Sequence, residues 1–376
     1  MTENRIFFNS SSLPTIGVEL ELQILDKDSY ELVSGAPKIL EDYNEDPRIK
    51  EELLDSIIEI NTNICKNVKE VNSDLKETLS KVYKSADKYG FEILSMGTHP
   101  FSRWNEQSIS SNPRYHNLID RMQWPLRRLL ITGVHVHIGV DSGEKAIAIT
   151  NGLTRYIPHF IGLSANSPIH DGEITGLAST RTKIFESMPT AGLPESLRNY
   201  SEFQKFMRTL QKANTIESIR EVWWDIRPHP MFGTVEIRLF DSVPSLKQIS
   251  QLSAFTQCLV VAISNHYNMG TQLPLLDPWI IQENKWRATR YGLEADIIID
   301  ENGTQISLKS EIIATIERIM PIASKLECKE YLTSLLNQLN NEVPPYKKQL
   351  DLYNIDNDYK NVIHYFVKMF RESVFN

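Results

Sequence analysis

The sequence predicts an α+β fold, an antiparallel or mixed sheet backed by helices. Three observations carry that prediction. Strands come early and helices late, without the regular strand–helix alternation that signals a parallel sheet. Four runs alternate apolar and polar residues at period two, the pattern of a strand with one buried face. No repeat and no Pro/Gly/Ser linker divides the chain, so residues 1–376 read as a single domain, mostly helical from about 280 to 376.

The elements follow in order. "TIGVELELQIL" (residues 15–25) puts Val18, Leu20 and Leu22 on one strand face and Glu19 and Glu21 on the other. After a turn-rich stretch, "LLDSIIEINT" alternates Ile58 and Ile60 with Glu59 and Asn61. Val71, Leu75, Leu79, Val82 and Ala86 recur at helical spacing, and Gly90 stops that helix. "FEILSMG" reads as a strand, and a helical stretch near 114–130 is interrupted by Pro125. The strand "GVHVHIGV" comes next, then helix over 144–164 and a long polar loop, "NSPIHDGEITGLASTRTKIFESMPTAGLP". An amphipathic helix near 200–213 leads to the strand "GTVEIRLFD" and a buried helix at about 246–268. The remainder is helical apart from a hairpin at "DIIIDENGTQISL".

Composition narrows the function classes. With 41% hydrophobic and 23% charged residues the chain can bury a sizeable core. A net charge of −8, with no basic stripe, argues against nucleic acid as a partner. An acidic protein that binds a phosphate ligand needs metal ions to bridge the repulsion. Cys65, Cys258 and Cys328 form no CxxC pair, which suits a reducing compartment. "MTENRIFFNSSS" lacks the features of a signal peptide, and "CLVVAIS" is too short to span a bilayer. A cytoplasmic protein with no membrane partner is expected. There is no P-loop, no GxGxxG opening a helix and no GxSxG.

The polar strand faces are the informative feature. One wet face is ordinary in an antiparallel sheet. Here Glu19 and Glu21, Glu59 and Asn61, His135 and His137, and Glu236 and Arg238 each share a face. Wet faces usually favour Thr and Lys; carboxylate, imidazole and guanidinium on four strands point to one chemically functional surface. Glu19, Glu21, Glu59 and Glu236 are hard oxygen donors suited to Mg²⁺ or Mn²⁺, and without cations they would repel one another. Neutralising Glu236 is therefore expected to relieve repulsion at little cost in stability. HxH alone is a moderate zinc signal, and no third His or Cys lies nearby in sequence. Arg238 could match charge on a phosphoryl or carboxylate group, or simply make a structural ion pair. Arg181 sits in a polar loop suited to a substrate lid or rim, and Arg227 follows two tryptophans, Trp223 and Trp224, whose ordinary role is core packing.

"GVELELQ", "IEINTNIC", "GVHVHIGV", "TGLASTRTKIFESMPTAGLP", "WWDIRPHPMFGTVEIRLFD" and "NKWRATRYGLEA" occur in the order found in the carboxylate–amine ligases of the type 2 glutamate–cysteine ligase family. Across residues 14–340 the chain resembles that family. The resemblance implies a glutamine-synthetase-like fold, with an antiparallel sheet curved around a funnel-like active site and helices outside. It implies that Glu19, Glu21, Glu59, His135 and Glu236 hold two or three Mg²⁺ (or Mn²⁺) ions. Arg238 would stand beside the γ-phosphate of ATP, and Arg181 and Arg227 would contact substrate or nucleotide, with His137 beside the nucleotide. The implied reaction joins the γ-carboxylate of L-glutamate to the amine of L-cysteine or a related amino acid through an acyl phosphate, releasing ADP and phosphate. A homo-oligomer is compatible with the sequence. Two other readings stand beside this one: a metal-dependent hydrolase using the same Glu/His face, and a non-catalytic binding member of the fold.

Overall fold

β1 (Ile16–Asp26) is the strand on which the sheet is built. A computed structural model of the chain describes residues 6–271 and 273–376; residues 1–5, part of the stretch read as lacking a signal peptide, lie outside it. Downstream of β1 come α1 (Ala36–Asp42), β2 (Ile49–Glu51), β3 (Ile57–Asn61), α2 (Val68–Tyr89) and β4 (Phe91–Leu94). Then follow α3 (Pro113–Met122), α4 (Trp124–Arg127), β5 (Gly133–Gly139), α5 (Gly143–Leu153) and α6 (Ile157–Ser164). The next stretch holds β6 (Ile169–His170), β7 (Glu173–Ile174), α7 (Thr180–Phe185), α8 (Tyr200–Lys212), β8 (Ile226–His229) and β9 (Thr234–Asp241). The rest comprises α9 (Leu246–Asn268), α10 (Pro278–Tyr291), the hairpin β10 (Asp296–Ile298) and β11 (Gln305–Ser307), α11 (Leu308–Lys325), α12 (Lys329–Asn341), α13 (Pro345–Asp356) and α14 (Tyr359–Phe375).

The sheet is antiparallel, in the order β2-β3-β1-β5-β9-β8, with β4 also pairing β1. Its apolar face carries Val18, Leu20, Leu22, Val134, Val136, Val235 and Ile237, all buried against α2, α5, α6 and α9. The long period-3.6 stripe of α2 supplies Val71, Leu75, Leu79 and Val82 to that core, and Gly90, at φ 72°, ends the helix in the left-handed conformation. Truncating one such residue, Leu20→Ala for example, would cost about 2–5 kcal/mol.

Several elements refine or depart from the sequence expectation. The 114–130 stretch is interrupted beside Pro125 as expected, the break falling at Gln123 (φ 55°) and Pro125 lying in the first turn of α4, where its missing N–H costs nothing. The polar loop holds α7 and the two-residue strands β6 and β7. β2 and α1 fall in the turn-rich stretch after β1. β8 forms despite Pro228, because it is the edge strand, where a proline leaves no ladder partner unpaired. The three cysteines are buried and unbridged. Among the described residues no helix is long and apolar enough to cross a membrane.

Candidate active site

The strand register decides what meets on the other face. Glu21 pairs with Glu59, and Glu19 with Asn61 on one side and His135 on the other. His137 pairs with Glu236, which pairs in turn with Arg227. Between the pairs Val136–Ile237 and Val134–Phe240, β9 carries one residue more than β5. That bulge falls at Arg238 and Leu239, the kind of local irregularity that re-aims a side chain at a site. Glu19, Glu21, Glu59, His135, Arg181, Arg227 and Arg238 all line one cavity of about 700 Å³.

Within it, two groups have ligand atoms within 4.8 Å of one another, close enough to hold an ion: Glu19, His137 and Glu236, and Glu21, Glu52 and Glu59. The first takes His137 where the sequence pointed to His135. His137 Nε2 lies 3.4 Å from Glu19 and 3.9 Å from Glu236, while its Nδ1 meets Thr234 Oγ1 at 3.1 Å. His135 bridges the two groups instead, with Nδ1 3.1 Å from Glu19 and Nε2 3.7 Å from Glu21. Both Nε2 atoms are buried without a hydrogen-bond partner. Buried orphan nitrogens facing carboxylates fit a cation site, since burial without a partner is otherwise costly.

Charge divides the site. Burial and repulsion from Glu19 and Glu52 push Glu59 well above the usual carboxylate range; burial and repulsion from Glu21 raise Glu52 to about 7. Burial would also raise Glu19, but hydrogen bonds from His135 and His137 outweigh it and hold that carboxyl well below its ordinary value. Glu236, 0% exposed, is likewise held low, because Arg227 and Arg238 outweigh its burial.

The arginines are unequal. Arg227 donates from Nε to Glu236 at 2.6 Å and from Nη1 to the carbonyls of Ile219 and Val222. Its donors are largely spent on holding Glu236 and the chain before β8. Arg238 also pairs with Glu236, but its Nε is buried and unpartnered. Arg181 is no lid residue: it is buried, its Nη1 donates to the Arg238 carbonyl at 3.2 Å, and its Nε too has no partner. Two unpartnered buried guanidinium donors beside one cavity are chemically suited to an anion. Gly133 makes room for it, since a Cβ there would lie 2.2 Å from Arg181 Nη2. Gly133→Ala should therefore displace Arg181 with little change in thermal midpoint. Turnover should fall on the order of a hundredfold, the scale for an ångström of misplacement; normal turnover would remove Arg181 from the chemistry.

A profile of the glutamate–cysteine ligase family 2 matches residues 15–352. The chain belongs to this family. A family relative from Thermobifida fusca, named "Putative glutamate–cysteine ligase 2", is 43% identical over 372 residues, 97% of this chain and 93% of that one. Among solved structures, glutamate–cysteine ligase from Francisella tularensis in complex with AMP superposes with a TM-score of 0.71 at 12% identity, over 98% of this chain and 89% of that one. The ligase PafA, solved in complex with the ubiquitin-like protein Pup, gives 0.51 at 12% identity, over 93% and 71%. At such identities the structural likeness concerns the fold alone.

Three contributors were not legible as site residues. Glu52 lies across the β2–β3 turn from Glu59, where strand parity no longer applies; the acidic run "KEELLDSIIEI" was its only signal. His229 lines the cavity from β8, its ring stacked on Phe232 at 4.1 Å between centroids. Phe232, 57% exposed, forms an aromatic rim at the β8–β9 turn. Both tryptophans are buried as expected, although Trp223 also lines the cavity.

Proposed function

We propose that the protein is an ATP-dependent carboxylate–amine ligase that joins the γ-carboxylate of L-glutamate to the amine of L-cysteine or a related amino acid. The observation that carries this reading is the meeting of two carboxylate clusters with two partly unpartnered arginines, Arg238 from the sheet and Arg181 from α7, around one cavity. Such a cavity fits a triphosphate and a carboxylate brought together. Glu19, His137 and Glu236 would hold one Mg²⁺ (or Mn²⁺), and Glu21, Glu52 and Glu59 another, with His135 between them. Bound there, the ions neutralise phosphate charge and orient the nucleotide.

The chain's own residues supply the rest. Arg238 and Arg181 present donors to the oxygens of the transferring phosphoryl group, and Arg227 fixes Glu236 so that Arg238 keeps its place. The carboxylate of the first substrate attacks the γ-phosphorus and ADP departs. The amine then attacks the acyl carbon, and phosphate leaves as the amide forms. No protein nucleophile is needed. The relatives' names favour glutamate and cysteine as first choices. A cytoplasmic setting suits both substrates.

The test is ADP release, coupled to a reporter, across pairs of amino acids with Mg²⁺, beginning with glutamate plus cysteine. Release that requires both a carboxylate donor and an amine is the expected result. ATP-independent hydrolysis, or metal binding with no turnover on any pair, would instead favour the hydrolase or the non-catalytic reading.

The ion sites predict a pH-dependent response to metal. Glu52 and Glu59 have folded-state pKa values above the unfolded carboxylate value, so the folded state holds more protons than the unfolded state between the two. Their contribution to stability is complete below the unfolded value and is lost as pH rises through about 7 and beyond. In EDTA the thermal midpoint should drop between pH 5 and pH 8. Mg²⁺ should restore it most at pH 8, by up to about 2.7 kcal/mol at a hundredfold excess over Kd. A midpoint equally insensitive to Mg²⁺ at both pH values would count against an ion at Glu21, Glu52 and Glu59.

A further inference from the structure

The segment "NKWRATRYGLEA" contributes nothing to the cavity lining, yet α10 buries a lysine at its centre. Lys285 is 1% exposed. Its Nζ lies 2.5 Å from Asp225 Oδ2 and 2.6 Å from Glu186 Oε1. The attachment points of these two carboxylates matter more than the ion pairs themselves. Glu186 caps the C-terminus of α7, the helix that carries Arg181. Asp225 immediately precedes β8, which carries Arg227, and the Asp225 carbonyl accepts the backbone N–H of Arg238 at 2.9 Å.

One turn further along α10, the Thr289 carbonyl accepts the N–H groups of Ala178 and Ser179, at 2.9 and 3.1 Å. Thr289 Oγ1 in turn donates to the Lys285 carbonyl. Both ends of α7 are thereby fixed to one face of α10. Its first turn is held as well by the Arg181 N–H, which donates to Ser167 Oγ at 3.1 Å, while that hydroxyl donates to Asp241 at the end of β9. Apolar contacts could anchor α7 without desolvating three charges, so the ionic arrangement calls for a reason beyond stability. Directionality is such a reason: an ammonium held by two carboxylates fixes the relative position of the two backbones in a way that apolar packing does not.

We propose that Lys285 is a positioning residue that ties α7 to the start of β8, setting Arg181 and Arg238 at the spacing that grips one anion. The inference rests on the ligase reading for what the anion is, but not for whether the tie exists. Lys285→Met strands the buried Asp225 carboxylate, leaves Glu186 to Lys183 alone, and should lower the thermal midpoint. The triple variant Lys285→Met, Glu186→Gln, Asp225→Asn removes the buried charges together, leaves only the partly exposed Lys183 without its Glu186 partner, and should recover most of that loss. It serves as the second probe.

Four readouts apply to both variants. Mn²⁺ binding, followed by the loss of its free electron paramagnetic resonance signal, should match wild type, because β1, β3, β5 and β9 keep their ligands. Affinity for the non-hydrolysable nucleotide AMP-PNP with Mg²⁺, and turnover in the ADP-release assay, should fall tenfold or more even in the triple variant. Amide hydrogen exchange should quicken across 178–192 and stay unchanged across 16–26 and 133–139. A triple variant with wild-type AMP-PNP affinity and wild-type exchange at 178–192 would overturn the proposal, leaving Lys285 as charge balance only. If wild-type protein neither binds AMP-PNP nor turns over, the ligase reading fails by itself. The exchange pattern then decides: acceleration confined to 178–192 upholds the tie, and a uniform change or none refutes it.

Discussion

Glu236→Gln is expected to cost turnover a hundredfold or more and, unlike a simple relief of crowded carboxylates, to lower stability by about 3–5 kcal/mol, the scale for removing one partner of a buried ion pair. The strand pattern alone argued the opposite, since Glu236 shares a face with other glutamates. The distances reverse that argument. Arg227 Nε lies 2.6 Å from Glu236, and Arg238 pairs with its other oxygen. Within the ion cluster, His137 Nε2 lies farther off, 3.9 Å from Glu236. Attraction to two guanidiniums therefore outweighs repulsion from Glu19, and this is why the Glu236 carboxyl is held well below its usual range. A neutral amide leaves both arginines buried without their counter-charge. Denaturant midpoints of wild type and variant measure the effect. Adding Arg227→Met to Glu236→Gln should return part of the lost stability, a coupling that a double-mutant cycle isolates. An unchanged midpoint for Glu236→Gln would mean that the two arginines find other partners and that Glu236 is not their anchor.

The sequence made one half of this site readable and hid the other for a definite physical reason. Side chains alternate strictly along a strand, so Glu19, Glu21, Glu59, His135, His137, Glu236 and Arg238 could be assigned to faces from spacing alone, and the structure brings them to one cavity or its wall. Period two states a face but not a partner. It could not say that Glu236 meets two arginines, because Arg227 arrives from β8, an edge strand whose Pro228 disguises it. Nor could it separate His135 from His137, which share a face and differ only in register against Glu236. Glu52 and Arg181 depend on a turn and a six-residue helix, where no period survives. The helices were legible for the reason the strands were: α2 and α9 bury long stripes, and burial leaves a period in the sequence. What resists reading is contact between elements distant in sequence, which the Lys285–Asp225–Glu186 cluster shows as well, its members being scattered over 100 positions of loop and helix.

Arg238→Lys should depress kcat on the order of a hundredfold while weakening nucleotide binding far less, the signature of a contact that tightens only in the transition state. Arg238 has two tasks in this site. One is the ion pair with Glu236, which a lysine ammonium can keep. The other belongs to its Nε, buried beside the cavity without a partner while Arg181 Nε stands in the same condition. A phosphoryl group in transit spreads charge over its equatorial oxygens, and a planar guanidinium can grip two of them at once. Lysine offers a point charge on a flexible stem, so it keeps the attraction and loses the grip. Since the pair with Glu236 survives and charge is conserved, the thermal midpoint should move little. Steady-state kinetics with ATP varied, alongside a thermal scan, distinguish the two tasks. A large drop in midpoint with near-normal kcat would make Arg238 a structural partner of Glu236 and nothing more. A fall in kcat with an unmoved midpoint would assign the unpartnered Nε to the reacting phosphate.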